Sequence, residues 1–200
     1  MALLLIDSFL PATLTVPPMT DGEFASFCSE HPDLFFEMTA KGELIVMPPT
    51  FSLTGIQNNE ICGQLRNWAR KDDRGVASDS STGFVLPNGA RRSPDAAWIL
   101  KSEVAKLSAE SRKTFWHLCP NFVIEVRSPS DRTPAVRAKM REYIANGAQL
   151  GWLIDPQSHT VEIYRTDREP ESVQGVESIP GEGPVEGFIL DLRTVWDPFA

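Results

Sequence analysis

Asn121-Phe122-Val123-Ile124-Glu125-Val126-Arg127 is the stretch on which the fold turns. It is rich in β-branched and aromatic residues and reads as a strand. Side chains alternate faces along a strand, so Phe122, Ile124 and Val126 share one face and Val123, Glu125 and Arg127 the other. A carboxylate inside such an apolar run is costly unless it is paired or binds a cation. About thirty residues earlier, Arg91-Arg92-Ser93-Pro94-Asp95 poses the same puzzle, because Asp95 is followed directly by Ala96-Ala97-Trp98-Ile99-Leu100.

Working outward, Ser130-Asp131 supplies a helix N-cap and Pro134 suits the first turn. Val136, Met140, Tyr143 and Ile144 form the apolar stripe of that helix, and Gly147 closes it. Leu150–Ile154 is a strand, Asp155-Pro156 a turn, and Thr160–Arg165 an antiparallel partner. Upstream, Thr20 and Glu23 form a capping box that opens a short helix. Residues 34–38 and 43–47 read as a hairpin around Lys41-Gly42. Residues 54–70 read as a helix with Ile61, Leu65, Trp68 and Ala69 on one stripe. Gly83–Pro87 and Arg92–Leu100 read as strands around an Asn88-Gly89 turn, and 101–118 as a helical or loop insertion. Residues 1–19 are expected to be an irregular leader, and 20–200 a single domain. Strands and helices mix without a strict βαβ repeat, which predicts an α/β (α+β) fold with a mixed central sheet flanked by helices.

A chain of 200 residues suffices for one well-covered domain. Met1–Leu5 is apolar but short and lacks a basic flank, so it does not read as a signal peptide. No apolar run is long enough for a membrane span. Cys28, Cys62 and Cys119 are odd in number and far apart, which argues against a disulfide framework and fits a reducing cytoplasm. The net charge of −8 argues against a nonspecific nucleic-acid binder. The charge is uneven, however: residues 91–141 carry eleven Lys/Arg against five Asp/Glu.

Two carboxylates on adjacent strands make a natural site for a hard cation such as Mg²⁺ or Mn²⁺. Such chemistry also needs a fixed cation near the reacting group. Arg127, on the same strand face as Glu125, and Lys139, bordering the helix stripe, compete for that role. Lysine can shift its pKa and arginine cannot in practice, which favours Lys139 for catalysis and leaves Arg127 for phosphate contact or structural pairing. Plain structural readings stand beside these: Asp95 as a turn residue after Pro94, Glu125 paired with a basic neighbour, and Lys139, Arg91 and Arg92 as solvated surface charges.

Five runs together resemble the Uma2-like family of the PD-(D/E)XK restriction-endonuclease-like superfamily. They are Gly42–Pro49, Ser93-Pro94-Asp95, Glu125–Asp131, Lys139–Tyr143 and Gly151–Pro156. The resemblance spans about Thr20 to Trp196. It implies a restriction-endonuclease-like fold and a metal-dependent endonuclease that hydrolyses nucleic-acid phosphodiester bonds, DNA foremost. It implies Asp95, Glu125 and Lys139 as catalytic residues, with Asp95, Glu125 and Glu60 on Mg²⁺ or Mn²⁺. Glu43 lies in the early hairpin motif. Arg127, Arg91 and Arg92 are expected on phosphates. A homodimer is the arrangement by which such folds cut both strands. The alternative is a catalytically inactive nuclease-fold module that binds nucleic acid or a protein partner. One departure from the literal motif is the residue two after the Glu, which is Arg127 and not Lys.

Overall fold

The computed structural model describes residues 10–200. Met1–Leu5, where a signal peptide was considered, lies outside them. No helix among the described residues is long and apolar enough to cross a membrane.

The central element is a six-stranded sheet. Its strands are β4 (Gly75–Asp79), β7 (Ala96–Leu100), β8 (Phe122–Val126), β9 (Leu150–Asp155), β10 (Thr160–Arg165) and β11 (Glu171–Gln174), in the order β11-β10-β9-β8-β7-β4. β8 and β9 pair in parallel, with Glu125 opposite Leu153, and the other pairs are antiparallel, so the sheet is mixed. A parallel pair needs a crossover. Here the crossover is a helix over Thr133–Ala145.

The alternation read from the sequence is what the sheet shows. Phe122, Ile124 and Val126 pack with Trp98, Trp152, Ile61 and Leu65 on one face. Val123 packs with Met140, Tyr143 and Leu153 on the other. The first face is covered by a long helix over Ser52–Asp72, the second by Thr133–Ala145. Trp98 and Trp152 are fully buried, and each side chain of that kind contributes about 1.5–3 kcal/mol by leaving water.

A second sheet of five antiparallel strands lies beside the first. Its strands are β1 (Ala12–Thr15), β2 (Phe35–Met38), β3 (Glu43–Met47), β5 (Phe84–Val85) and β6 (Arg91–Arg92), in the order β1-β3-β2-β6-β5. The β2–β3 hairpin turns through Gly42, whose φ of +81° suits glycine. β1 corrects the expectation of an irregular leader, because Ala12–Thr15 pairs with 43–46 of β3. The helices are numbered α1 (Asp21–Glu30), α2 (Ser52–Asp72), α3 (Lys101–Ala105), α4 (Thr133–Ala145) and α5 (Arg193–Trp196). α1 opens with the Thr20–Glu23 capping box read from the sequence. It buries Phe24 against Met38, Leu44 and Val46 of the hairpin. A two-stranded pair, β12 (Ser178–Pro180) and β13 (Ile189–Asp191), completes the C-terminal part.

Two further readings change. Arg92–Leu100 is not one strand. β6 ends at Arg92 in the five-stranded sheet and β7 begins at Ala96 in the six-stranded one. Pro94 lies in the break, where its missing N–H could not serve a ladder. Gly75–Asp79, not anticipated as a strand, forms the sheet edge. A Cβ at Gly75 would lie 2.2 Å from the Trp98 ring, so only glycine lets the two strands close over that indole.

Candidate metal centre

The site lies where the two sheets meet. Asp95 occupies the crossing from β6 to β7, and both its carboxylate oxygens are engaged. Oδ1 accepts the Asn58 side-chain amide at 2.8 Å, and Oδ2 accepts the Val126 backbone amide at 2.7 Å. Cys62, one turn after Asn58 on α2, places its Sγ 3.3 Å from the Asp95 carbonyl. Burial pushes the Asp95 carboxyl up to about 6, with the Val126 amide and Lys139 pulling the other way.

Glu125 projects from β8 toward α4, on the face the alternation predicts, and is 6% exposed. Its Oε1 accepts Lys139 Nζ at 2.7 Å and the Tyr143 hydroxyl at 3.1 Å. Burial pushes its carboxyl up to about 8. Asp95 and Glu37 add to the rise, and Lys139 opposes it. Lys139 lies one turn before Tyr143, so both reach the same carboxylate from one helix face. Burial works against the ammonium, but Glu125 and Glu37 outweigh it and hold its pKa above that of an ordinary lysine.

Glu37 is the residue the sequence reading missed. It is 2% exposed and gathers three donors. Oε1 takes Lys139 Nζ at 2.7 Å and the Ser93 amide at 3.0 Å, and Oε2 takes Arg92 Nη1 at 3.0 Å. Burial raises its pKa, yet Lys139 and Arg92 prevail and hold it below the usual carboxylate value. The signal was present in Phe35-Phe36-Glu37-Met38, an acid in an apolar strand, as at Glu125. Glu43, the hairpin acid singled out instead, accepts Thr39 Oγ1 at 3.1 Å beside the turn.

The arginines expected on phosphates are tied internally. Arg92, only 7% exposed, bridges Glu37 and Glu142, with Nε 2.7 Å from the latter. Arg91 binds Asp21 at 2.6 Å and the Met19 carbonyl at 3.0 Å, and lies over the Phe24 ring. Neither presents a spare edge to solvent phosphate, because each interior guanidinium needs its carboxylate. Arg127 binds Asp155 through Nη1 at 2.8 Å but leaves Nε without a partner.

The sequence profile of a family described as "Putative restriction endonuclease", Uma2, matches residues 21–193. The chain belongs to the Uma2 family. Among solved structures it is similar to a crystal structure titled as a "putative nuclease belonging to DUF820" from Anabaena variabilis. The identity is 19%, the likeness covers 90% of this chain and 98% of that one, and the TM-score is 0.73. At that identity the likeness is one of fold. No curated protein matches.

In this Uma2 chain the fit of a divalent cation is decided by the oxygens around Asp95. Glu37, Asp95, Glu125 and Glu142 face only Arg92 and Lys139, so full ionisation leaves two negative charges in excess. Burial is the main cause of the raised Asp95 and Glu125 pKa values, and neighbouring carboxylates, Glu37 among them, add to it. Beside them, Asn58 Oδ1 is buried without a hydrogen-bond partner. Two carboxylates and an orphaned amide oxygen suit a hard, oxygen-seeking ion. Among the described residues no cluster of three or more His, Cys, Asp or Glu side chains is arranged to hold a metal. The protein would therefore give few ligands and leave the rest to water and substrate, the usual mode of Mg²⁺. Glu60 is not brought in. It accepts Gln64 Nε2 at 3.0 Å, and Gln64 is clamped to Asp191 of β13. Asn58, two residues earlier and on another side of α2, stands beside Asp95 in its place. The three cysteines are free thiols.

Proposed function

We propose that this chain is a Mg²⁺- or Mn²⁺-dependent endonuclease that hydrolyses nucleic-acid phosphodiester bonds, with DNA the favoured substrate. The observation that carries the reading is the pairing of Glu125 with Lys139 at 2.7 Å beside Asp95, at the joint of the two sheets. The description of the family as a "Putative restriction endonuclease", and of the similar solved structure as a "putative nuclease", supports the same class of chemistry.

Asp95 and Glu125 would hold the ion, with Asn58 Oδ1 available next to them. A bound ion of this type polarises a phosphoryl oxygen and lowers the pKa of its water. Lys139 keeps its proton, because two carboxylates stabilise its charge. Its role is therefore that of a fixed donor to a non-bridging phosphate oxygen as negative charge develops, and not that of a base. Glu37 positions that donor: with Lys139 held on both sides, the ammonium cannot swing away. Tyr143, one turn further along the same helix face, donates to the same Glu125 oxygen and fixes it beside Lys139.

The test is isothermal titration of Mg²⁺ and Mn²⁺ into wild type and Asp95→Ala, with plasmid nicking assayed on the same preparations. The reading expects binding and nicking in wild type and neither in the variant. Wild type that binds no metal and cuts nothing would leave the carboxylates structural. It would point to the second reading, a noncatalytic module on this fold. The engagement of both Asp95 oxygens by Asn58 and Val126 favours that alternative.

A further inference from the structure

The parallel pair β8–β9 opens at its carboxyl end onto a small cavity of about 150 Å³ on the α4 side of the sheet. On the same measure a single water needs only about 10–15 Å³. Crevices at the carboxyl ends of parallel strands, where the chain's crossovers diverge, are where open α/β sheets receive ligands. Its walls include Arg127, Asp155, Glu162, Arg137, Thr133 and Ser172.

The formal charges of this lining cancel, but its hydrogen-bonding capacity does not. The acceptors are engaged. Asp155 takes Arg127 Nη1 at 2.8 Å on Oδ2 and the Gln157 amide at 3.0 Å on Oδ1. Glu162 takes Arg137 Nε on both oxygens, at 2.9 and 3.0 Å, and the Tyr164 hydroxyl at 2.7 Å. Several donors are not engaged. Arg127 Nε is buried and has no partner. Arg137 uses only Nε and Nη2 on Glu162, so the Nη1 of this cavity-lining side chain has no protein partner among the described residues. Thr133 stands in the first turn of α4, where Pro134 has no N–H and the Ala135 and Val136 amides already bond the Arg132 carbonyl, so the donors left there are Thr133's own amide and hydroxyl. A cavity whose acceptors are satisfied and whose donors are not selects an anion that accepts from several directions, and arginine forks fit phosphate oxygens.

We infer that this cavity is a phosphate subsite, formed by Arg127, Arg137 and Thr133, for a backbone phosphate flanking the bond at the Asp95–Glu125 centre. The assignment to a polynucleotide rests on the nuclease reading; the phosphate chemistry does not. Arg127 is two residues beyond Glu125 on the same chain, so one strand end serves both places.

Two variants test it. Arg137→Gln removes one fork from a surface position and leaves the interior intact. Glu162→Gln keeps the shape and loosens the hold on Arg137. The readouts are calorimetric binding of inorganic phosphate in EDTA, and binding of a short fluorescein-labelled DNA duplex in Ca²⁺ across a salt series, with cleavage in Mg²⁺ in parallel. Arg137→Gln is expected to weaken phosphate roughly tenfold, as loss of a charged hydrogen bond does. It is also expected to lower the salt slope of duplex binding by about one. Glu162→Gln is expected to strengthen phosphate binding, an opposite sign that a merely structural pair would not give. Phosphate binding absent from wild type, or equal in all three proteins, overturns the subsite. Duplex cleaved by all three with an unchanged salt slope overturns its place on the polynucleotide and leaves the nuclease reading standing. The expected phosphate pattern without any duplex binding or cleavage keeps the subsite, for a different phosphorylated ligand, and ends the nuclease reading.

Discussion

The carboxylate of Asp95 accepts the backbone amide of Val126 at 2.7 Å, so the segment that carries the chain between sheets is fastened to the strand that bears Glu125. One side chain thus closes a backbone hydrogen bond that the β7–β8 ladder does not supply, and in the proposed function it would also offer charge to a cation. These roles separate by substitution. Asp95→Asn keeps an oxygen for Val126 and lets Asn58 turn its amide to match, so stability should change little. Asp95→Ala leaves the Val126 amide and the Asn58 side chain unmet, at a cost of about 1–3 kcal/mol. Urea unfolding should rank the two in that order, while calorimetry finds metal binding lost in both. Equal unfolding midpoints would show that the Val126 bond contributes nothing.

Glu37 and Glu43 sit six residues apart in one hairpin and should behave very differently. Glu37→Ala strands Lys139 and Arg92 in the interior with one counter-charge fewer, and breaking buried pairs of this kind costs about 3–5 kcal/mol. Glu43→Ala removes one partly exposed hydrogen bond to Thr39 and should stay under about 1 kcal/mol. Chemical denaturation of the two variants decides it. A Glu37 variant as stable as the Glu43 variant would remove Glu37 from the centre.

In the metal-free protein, Asp95 is raised to about 6 and Glu125 to about 8. A carboxyl raised in the fold favours the folded state while protonated. Its contribution is complete below the ordinary carboxylate values of 3.8 and 4.5 and declines as pH rises through about 6 and then about 8. Glu37, held low, acts with the opposite sign and at lower pH. From pH 5.5 to 8.5 the Tm without metal should therefore fall. The rise in Tm on adding Mn²⁺ should grow, because the ion replaces the lost protons. A metal-induced shift that is the same at both pH values would count against Asp95 and Glu125 as the ligands.

Lys139→Gln keeps length and a donor but removes the charge. If Lys139 stabilises developing phosphoryl charge, nicking should fall by roughly 10²-fold, in line with loss of one such donor, while Mn²⁺ still binds. Because Lys139 also holds the Asp95 and Glu125 carboxyls down, its loss should move the acidic limb of the remaining activity to higher pH and leave the alkaline limb in place. Loss of the alkaline limb instead would assign Lys139 to acid–base work.

How far the sequence carried depends on where each partner lies along the chain. Glu125 was legible because the alternation of β8 alone shows an acid on a covered face, and Lys139 because the stripe of α4 puts it at the edge of that cover. Arg91 and Arg92 looked like solvated charges. Their partners Asp21, Glu37 and Glu142 are at least fifty residues away, and nothing local announces them. Glu60 and Asn58 differ only in helical phase on α2, which an apolar stripe fixes too loosely to choose between. Arg92–Leu100 read as one strand because periodicity runs through Pro94, whereas hydrogen bonding does not. β4 carries almost no hydrophobic signal, since Gly75 contributes by leaving room for Trp98.

β2 joins β6 through one register pair, Met38 opposite Arg91. Next to that short seam stand the contacts of Glu37 with Arg92, Ser93 and Lys139. The hairpin thus meets the rest of the molecule partly through charge and not through a long ladder. A breathing motion that lifts it would take Glu37 away from Lys139 and expose Glu125, and the six-stranded sheet need not unfold. Amide exchange in β2 and β3 would then run ahead of exchange in β8 and β9. The centre would open and close as a sub-global unit of its own.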